Sequence, residues 1–285
     1  LFNLLTSQHK KTDTYSSRKT KNIGVVKVSD ERVDYLSSFF QPKKTIYANI
    51  EMIDIPGISS DMPEKTKQDI SNQIQNVDAL LVVIRVFQDT LIPGETNPLS
   101  QVESLVYEDL LRDLEIIENR INRLNQSKKK LNRQEEIEKQ ILEKCQIHLS
   151  NDQLLSTRSF TNEEMKLLSG FGFFTFKPVI VAINLDENQL RNNEFPNRER
   201  FNQFIQDHKM ASIPICGKLE MEINELSEEE KQLFLDDLGF QETGIQRLSH
   251  VLYEHLGLIS FFTVGKDEVK AWTIHQGTTA VKAAG

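Results

Sequence analysis

Two short apolar runs constrain this chain more than any other feature. One is Ala79-Leu80-Leu81-Val82-Val83-Ile84-Arg85-Val86-Phe87, and the other is Pro178-Val179-Ile180-Val181-Ala182-Ile183. Neither alternates with period two, so each is predicted as a strand buried on both faces, the pattern of a parallel sheet. Helical periodicity surrounds them. Strands alternating with helices give a doubly wound α/β sheet, which binds ligands beyond the C-terminal ends of its strands.

Taken in order, residues 1–8 read as a helix and the polar residues 10–22 as a loop. Gly24 to Val28 is a strand, and Ser29 caps a helix through Leu36. Thr45 to Ile53, rich in β-branched and aromatic residues, is one strand, and Gln68 to Val77 is a helix. After Pro93, Gly94 and Pro98 comes a long helical stretch with Val106, Leu110, Leu114, Ile117, Ile121, Leu124 and Leu131 at 3–4 spacing. Lys128, Lys129 and Lys130 interrupt it, and Ile137, Ile141, Cys145 and Leu149 carry a second seam back. This predicts an antiparallel helical hairpin, inserted between two strands, with a basic tip near residues 126–134. That tip is either a solvated end or a contact for an anionic partner. Further on, a helix over 196–208, a strand over 212–215 and helices over 219–225, 227–238 and 243–256 complete the unit. Residues 259–274 alternate like strands and open something new.

Three strand ends carry chemistry. Asp54-Ile55-Pro56-Gly57 ends the first in a turn. Its Asp can hold Mg²⁺ through a water, and its Gly lets backbone N–H approach a γ-phosphate because no Cβ intervenes. Asn184-Leu185-Asp186-Glu187 ends the second, and Cys216-Gly217-Lys218-Leu219-Glu220 the third. In P-loop GTPases this is the order of the phosphate turn, the base-reading N-K-x-D and the loop beneath the base. Any one match recurs by chance; the ordered set, each at a strand end, points to a nucleotide site.

Composition excludes several classes. No apolar run approaches the roughly 20 residues of a bilayer span. Cys145 and Cys216 form no C-x-x-C, which argues for reduced thiols in a cytoplasm. Cys216 reads as a small residue under the base more readily than as a redox centre. The six histidines show no metal-ligand spacing. Net charge is −8, so any contact with RNA is local. The opening, Leu1-Phe2-Asn3-Leu4-Leu5-Thr6, reads as the middle of an amphipathic helix, and the expectation is an interior piece of a longer protein. No G-x-x-x-x-G-K-[ST] occurs, so this piece alone is expected to bind nucleotide poorly.

With these residues in view, the chain resembles the YchF/Obg-like ATPases of the Obg-related GTPase class. Leu1-Phe2-Asn3 is similar to the residues directly after that family's phosphate loop. Phe174-Thr175-Phe176-Lys177-Pro178 with Asn184–Glu187 looks like its L-T-x-K-P…N-x-x-E segment. Phe261-Phe262-Thr263-Val264-Gly265 and Glu268-Val269-Lys270-Ala271-Trp272-Thr273 match the opening of its TGS domain. The resemblance implies a P-loop G domain, 1–98 and 173–257, with a helical coiled-coil insertion over 99–172 and the start of a β-rich TGS domain over 258–285. Phe261, Phe262 and Trp272 are then expected in the TGS core.

The resemblance further implies a monomeric, cytoplasmic hydrolase of ATP, with GTP as the second candidate substrate, and Mg²⁺. By the same resemblance it would act as a translation-associated switch and meet the ribosome or ribosomal RNA through the hairpin tip and TGS segment. The nucleotide contacts would be Asp54, Gly57, Asn184, Leu185, Glu187, Cys216 and Gly217, with Asp54 and Thr20 toward the metal. Glu187, one methylene longer than the Asp of N-K-x-D, and Leu185, in place of its Lys, weaken bidentate guanine recognition and favour acceptance of ATP. The catalytic group is open: Ile58 stands where many GTPases place a water-orienting Gln, and residues 88–98 contain no His. The alternative is a non-hydrolysing module that docks on the ribosome or a partner.

Overall fold

The computed structural model describes residues 1–6, 22–55, 63–89, 94–127 and 130–284. In chain order these form α1 (Phe2–Leu5), β1 (Asn22–Lys27), α2 (Glu31–Phe40), β2 (Lys44–Ile46), β3 (Asn49–Asp54), α3 (Glu64–Gln75) and β4 (Leu80–Arg85). There follow α4 (Pro98–Asn125), α5 (Arg133–Leu149), α6 (Asn162–Leu168), β5 (Val179–Asn184), α7 (Glu187–Asn192), α8 (Arg198–Asp207) and β6 (Ala211–Ile215). The chain finishes with α9 (Gly217–Glu225), α10 (Glu228–Leu238), α11 (Gly244–His255), β7 (Leu258–Val264), β8 (Glu268–His275) and α12 (Ala280–Ala284). The α/β architecture with an inserted helical hairpin is as expected. Strands β4, β5 and β6 are hydrogen-bonded neighbours in that order. β5 is buried along residues 179–183, whereas β4, an outer strand of the three, leaves Val83 48% exposed. Among the described residues β4 has a strand neighbour on one side only, and there the same apolar composition is part-covered.

The chain divides into two compact units, one of residues 1–59, 182–194 and 213–285, the other of residues 60–181 and 195–212. In the second unit, α4 and α5 make the hairpin. Asn97 caps α4 ahead of Pro98, and Asn132 with Glu135 forms a capping box on α5. Val102, Val106, Leu110, Ile117, Ile121 and Leu124 are buried on α4, and Ile141, Leu142, Cys145 and Leu149 on α5. Ile137, expected in the seam, is 41% exposed, and Leu142 is buried instead. A strict i+4 series drifts about 40° per step around a 3.6-residue helix, so Ile137 and Leu149 cannot share one narrow stripe. A bidentate ion pair clips the arm near its tip: Arg120 Nε and Nη2 donate to Glu138 Oε1 and Oε2 at 2.5 and 3.0 Å.

Two polar anchors hold the segment before β5. The carboxylate of Asp113, on α4 and fully buried, accepts the backbone N–H groups of Phe174 and Thr175. The Lys177 ammonium donates to the carbonyls of Gln75 and Val77 at the end of α3, at 2.9 and 2.5 Å. There it satisfies acceptors a helix C-terminus leaves open.

In the first unit, Asp30 rather than Ser29 caps α2: its Oδ1 accepts the Arg32 N–H at 3.0 Å. The strand expected over 45–53 is two strands. β3 pairs antiparallel with β1, Asp54 opposite Asn22, while β2 pairs parallel with β8, Lys44 opposite Glu268. β8 pairs antiparallel with β7, so the C-terminal hairpin annexes β2 in a sheet of order β2-β8-β7. Val28, Val33, Ala48, Tyr253, Val269 and Ala271 form the core beneath it. Trp272 lies outside that core, 40% exposed and stacked on Phe261 at 6.3 Å. Val269 and Ala271 take the inward positions of β8, and alternation sends Trp272 to the other face.

Candidate functional site

The ends of β5 and β6 are tied together by two hydrogen bonds. Leu185 N–H donates to the Ile215 carbonyl at 2.8 Å, and Gly217 N–H donates to Asn184 Oδ1 at 3.0 Å. The Asn184 side chain thus joins two of the three loops singled out in the sequence. Leu185 is 1% exposed, its side chain in the core.

The next residues form a helix where the sequence pattern suggests a loop. Asp186 caps α7: its Oδ1 accepts the Gln189 N–H at 2.9 Å, and Gln189 Oε1 accepts the Asp186 N–H at 3.0 Å. The spacing Asp186-x-x-Gln189 is a capping box, a signal present in the sequence. Glu187 opens the helix with an exposed side chain, and its Oε1 accepts from Arg191 Nε at 3.2 Å.

Below this, Cys216 is 2% exposed. Burial pushes its thiol pKa up, against a smaller pull from the N–H groups of Leu219 and Lys218. A buried, protonated thiol suits the packing role and not redox reactivity. Glu220, at the end of the same stretch, is also buried. Its carboxylate accepts N–H from Gly244 at 2.7 Å and from Ile245 at 3.3 Å, at the N-terminus of α11. Burial raises its pKa, and those two N–H groups oppose the rise. A Cβ on Gly244 would stand 2.6 Å from Glu220 Oε1, so the cap demands glycine there. Nothing in the sequence pattern marks Glu220 for this role, since only the fold brings α9 to the start of α11.

Asp54 ends β3, exposed, on the separate sheet with β1, and its Oδ2 accepts from Asn22 Nδ2 at 3.3 Å. Thr20, Gly57 and Ile58 lie outside the described residues. Among the described residues no group of three or more His, Cys, Asp or Glu could hold a metal ion. One exposed carboxylate fits Mg²⁺ delivered with a nucleotide, because that ion takes one or two carboxylates plus phosphate oxygens and water. Three histidines meet backbone carbonyls: His148 Nε2 that of Leu154, His208 Nδ1 that of Phe204 and His250 Nε2 that of Ser29.

Comparison with known proteins gives consistent matches. Residues 258–285 match the family model YchF-GTPase_C, described as a protein of unknown function (DUF933). Over its full length the chain is 33% identical to the ribosome-binding ATPase YchF of Bacillus subtilis (strain 168), across 80% of that protein. It is 34% identical to the ribosome-binding ATPase YchF of Mycoplasma genitalium, over 93% of this chain and 74% of the relative. The solved structure of the Schizosaccharomyces pombe YchF GTPase superposes with a TM-score of 0.82 at 25% identity. That match covers all of this chain and 79% of the other.

Proposed function

Because the chain belongs to the YchF family, we propose that it is a nucleoside-triphosphate hydrolase that takes ATP, and GTP less well, with Mg²⁺, as a ribosome-associated switch. The observation that carries this reading is the hydrogen bond from Gly217 to Asn184. It holds the ends of two adjacent strands in register, which is what a base-reading site at the edge of an α/β sheet requires. Asn184 positions the loops, Glu187 faces the base edge, and Cys216 with Gly217 floors the base. Asp54 would hold the metal that arrives with the phosphates, with Thr20 as the second candidate metal ligand and Gly57 as the candidate γ-phosphate contact. The ion supplies charge neutralisation at the phosphates; the chain's own residues bind and orient.

The protein works as a cytoplasmic monomer. Among the described residues no helix is long and apolar enough to cross a membrane. Ribosomal contact falls to the basic hairpin tip, of which Lys130 and Arg133 are described and Lys128 and Lys129 are not, and to the β7–β8 hairpin. Ile58, which cannot orient a water, favours the competing reading of a non-hydrolysing docking module.

Equilibrium binding and turnover on the native full-length gene product test the proposal. ATP binding that falls about tenfold in Asn184→Ala is the expected result, the size of one buried hydrogen bond lost and its partner N–H orphaned. Binding without turnover selects the docking module. Absence of binding to either nucleotide defeats both the base-reading assignment and the enzyme.

A further inference from the structure

We propose that Arg191 is a specificity-determining residue, setting the base-reading loop against guanine by holding Glu187. The inference rests on the base-reading assignment above. Glu187 and Arg191 stand one turn apart on α7, so their side chains share a face. Arg191 Nε donates to Glu187 Oε1 at 3.2 Å, and its Nη1 lies 3.7 Å from Asp237 Oδ2 on α10. Asp237 thus holds the guanidinium from a second side. Asp186 is spent as the cap of α7, so Glu187 is the carboxylate of this loop left to meet a base.

Guanine presents N1–H and N2–H₂, and a carboxylate discriminates it by accepting both. An oxygen already taken by a guanidinium has a competing donor, and a balanced carboxylate attracts guanine's donors less. Adenine reverses the argument. Its N1 is a lone pair, and a cation beside Glu187 cancels the repulsion between that lone pair and the carboxylate. The ion pair therefore lowers affinity for GTP and eases ATP. Both side chains are substantially exposed, at 51% for Glu187 and 41% for Arg191, so the effect is that of a surface ion pair.

Competition binding of ATP against GTP on the native full-length protein tests this. Arg191→Gln is expected to move the ratio toward GTP by about three- to fivefold, the span of an exposed pair. Arg191→Lys, which restores a cation at the same spacing, returns most of the preference. In a Glu187→Gln background Arg191→Gln moves nothing further. Raising salt from about 0.05 to about 0.5 M carries the unaltered protein toward the Arg191→Gln ratio and leaves that variant unmoved, because screening acts on the pair. An unchanged ratio in Arg191→Gln beside a changed one in Glu187→Gln overturns the inference and leaves the base-reading assignment standing. If neither substitution changes the ratio, both fall. A shift that persists in the Glu187→Gln background also overturns the inference, since it does not run through Glu187.

Discussion

The carboxylate of Asp113 accepts both the hydroxyl of Thr175, at 2.6 Å, and its backbone N–H, at 2.8 Å, across 62 residues of sequence. With the Phe174 N–H at 3.1 Å, one buried side chain satisfies three donors. Burial raises its pKa, and the Thr175 and Phe174 hydrogen bonds oppose the rise. Asp113→Ala leaves those donors orphaned and is expected to cost about 3–5 kcal/mol, with Asp113→Asn costing less because one acceptor remains. Urea unfolding followed by fluorescence measures both; a loss under about 1 kcal/mol in the Ala variant contradicts an anchoring role.

Asp113 also sets how far the arm can be cut back. Removing residues 101–149 takes away this anchor and the buried stripe of α4, so that deletion is expected to unfold its unit. Trimming residues 120–138, beyond the anchor, loses the Arg120–Glu138 clip, the buried Ile121 and Leu124 and the tip, but keeps Asp113 and the stripe from Val102 to Ile117. Nucleotide affinity of the trimmed full-length protein should then stay within about twofold, the effect expected of a change remote from the site. Isothermal titration reads this directly, and a large loss would make the distal arm part of the site.

Asp109 supplies a pH dependence. Burial pushes its pKa up to about 7, with Arg112, 3.6 Å away, pulling it back and Asp113 and Glu108 adding to the rise. A raised carboxylate means the native state keeps a proton that the unfolded chain releases. Its stabilising contribution is present below about pH 4 and is lost as pH climbs through 7. Asp109→Asn should therefore gain roughly 1–3 kcal/mol at pH 8 and show no gain at pH 4. Equal effects at the two values would mean that Asp109 titrates normally.

Restoring guanine readout by making the loop N-K-x-D meets a packing obstacle. Leu185 is 1% exposed, so Leu185→Lys forces an ammonium out of the core and should cost at least about 2 kcal/mol. Glu187→Asp, on the exposed first turn of α7, should cost under about 0.5 kcal/mol. Thermal melts of the two single variants decide it; a Leu185→Lys protein as stable as its parent would show that the side chain reaches solvent.

At the hairpin tip, Lys128, Lys129, Lys130 and Arg133 together neutralise a few phosphates at most, which predicts a shallow salt slope. Replacing all four with Gln should weaken ribosome co-sedimentation at low salt and have little effect at high salt. Unchanged co-sedimentation at every ionic strength would return the tip to a solvated end.

Much of the fold is legible in the sequence because it is local. The 3–4 spacing from Val106 to Leu124 marks α4, and the unbroken run from Val179 to Ile183 marks β5. Asp186-x-x-Gln189 spells a helix start inside a stretch whose Asn184 and Glu187 also spell a base-reading loop, and the two signals overlap. Ser29 and Asp30 are both good caps, and the one that serves is the one directly before the first helical residue with extended backbone, here Asp30. Asp113 and Glu220 are not legible at all. A carboxylate on a helix reads as solvated until distant N–H groups close on it, and their arrival is a property of the fold. The same holds for the break at Tyr47–Ala48, since nothing local tells β2 that its partner is β8.

That partner is made late. On a translating ribosome, Lys44 emerges 224 residues ahead of the hairpin segment that will complete its sheet, the separation spanned by the Lys43–Asp267 pair. At about 5–20 residues per second the wait is roughly 10–45 s. Throughout that interval the β2 segment is without its partner; it is short, opens on Lys44 and is preceded by Lys43, a length and charge that discourage pairing with the wrong strand. Completion of this sheet therefore reports that synthesis has passed residue 275, which makes it a timer read out by chain length.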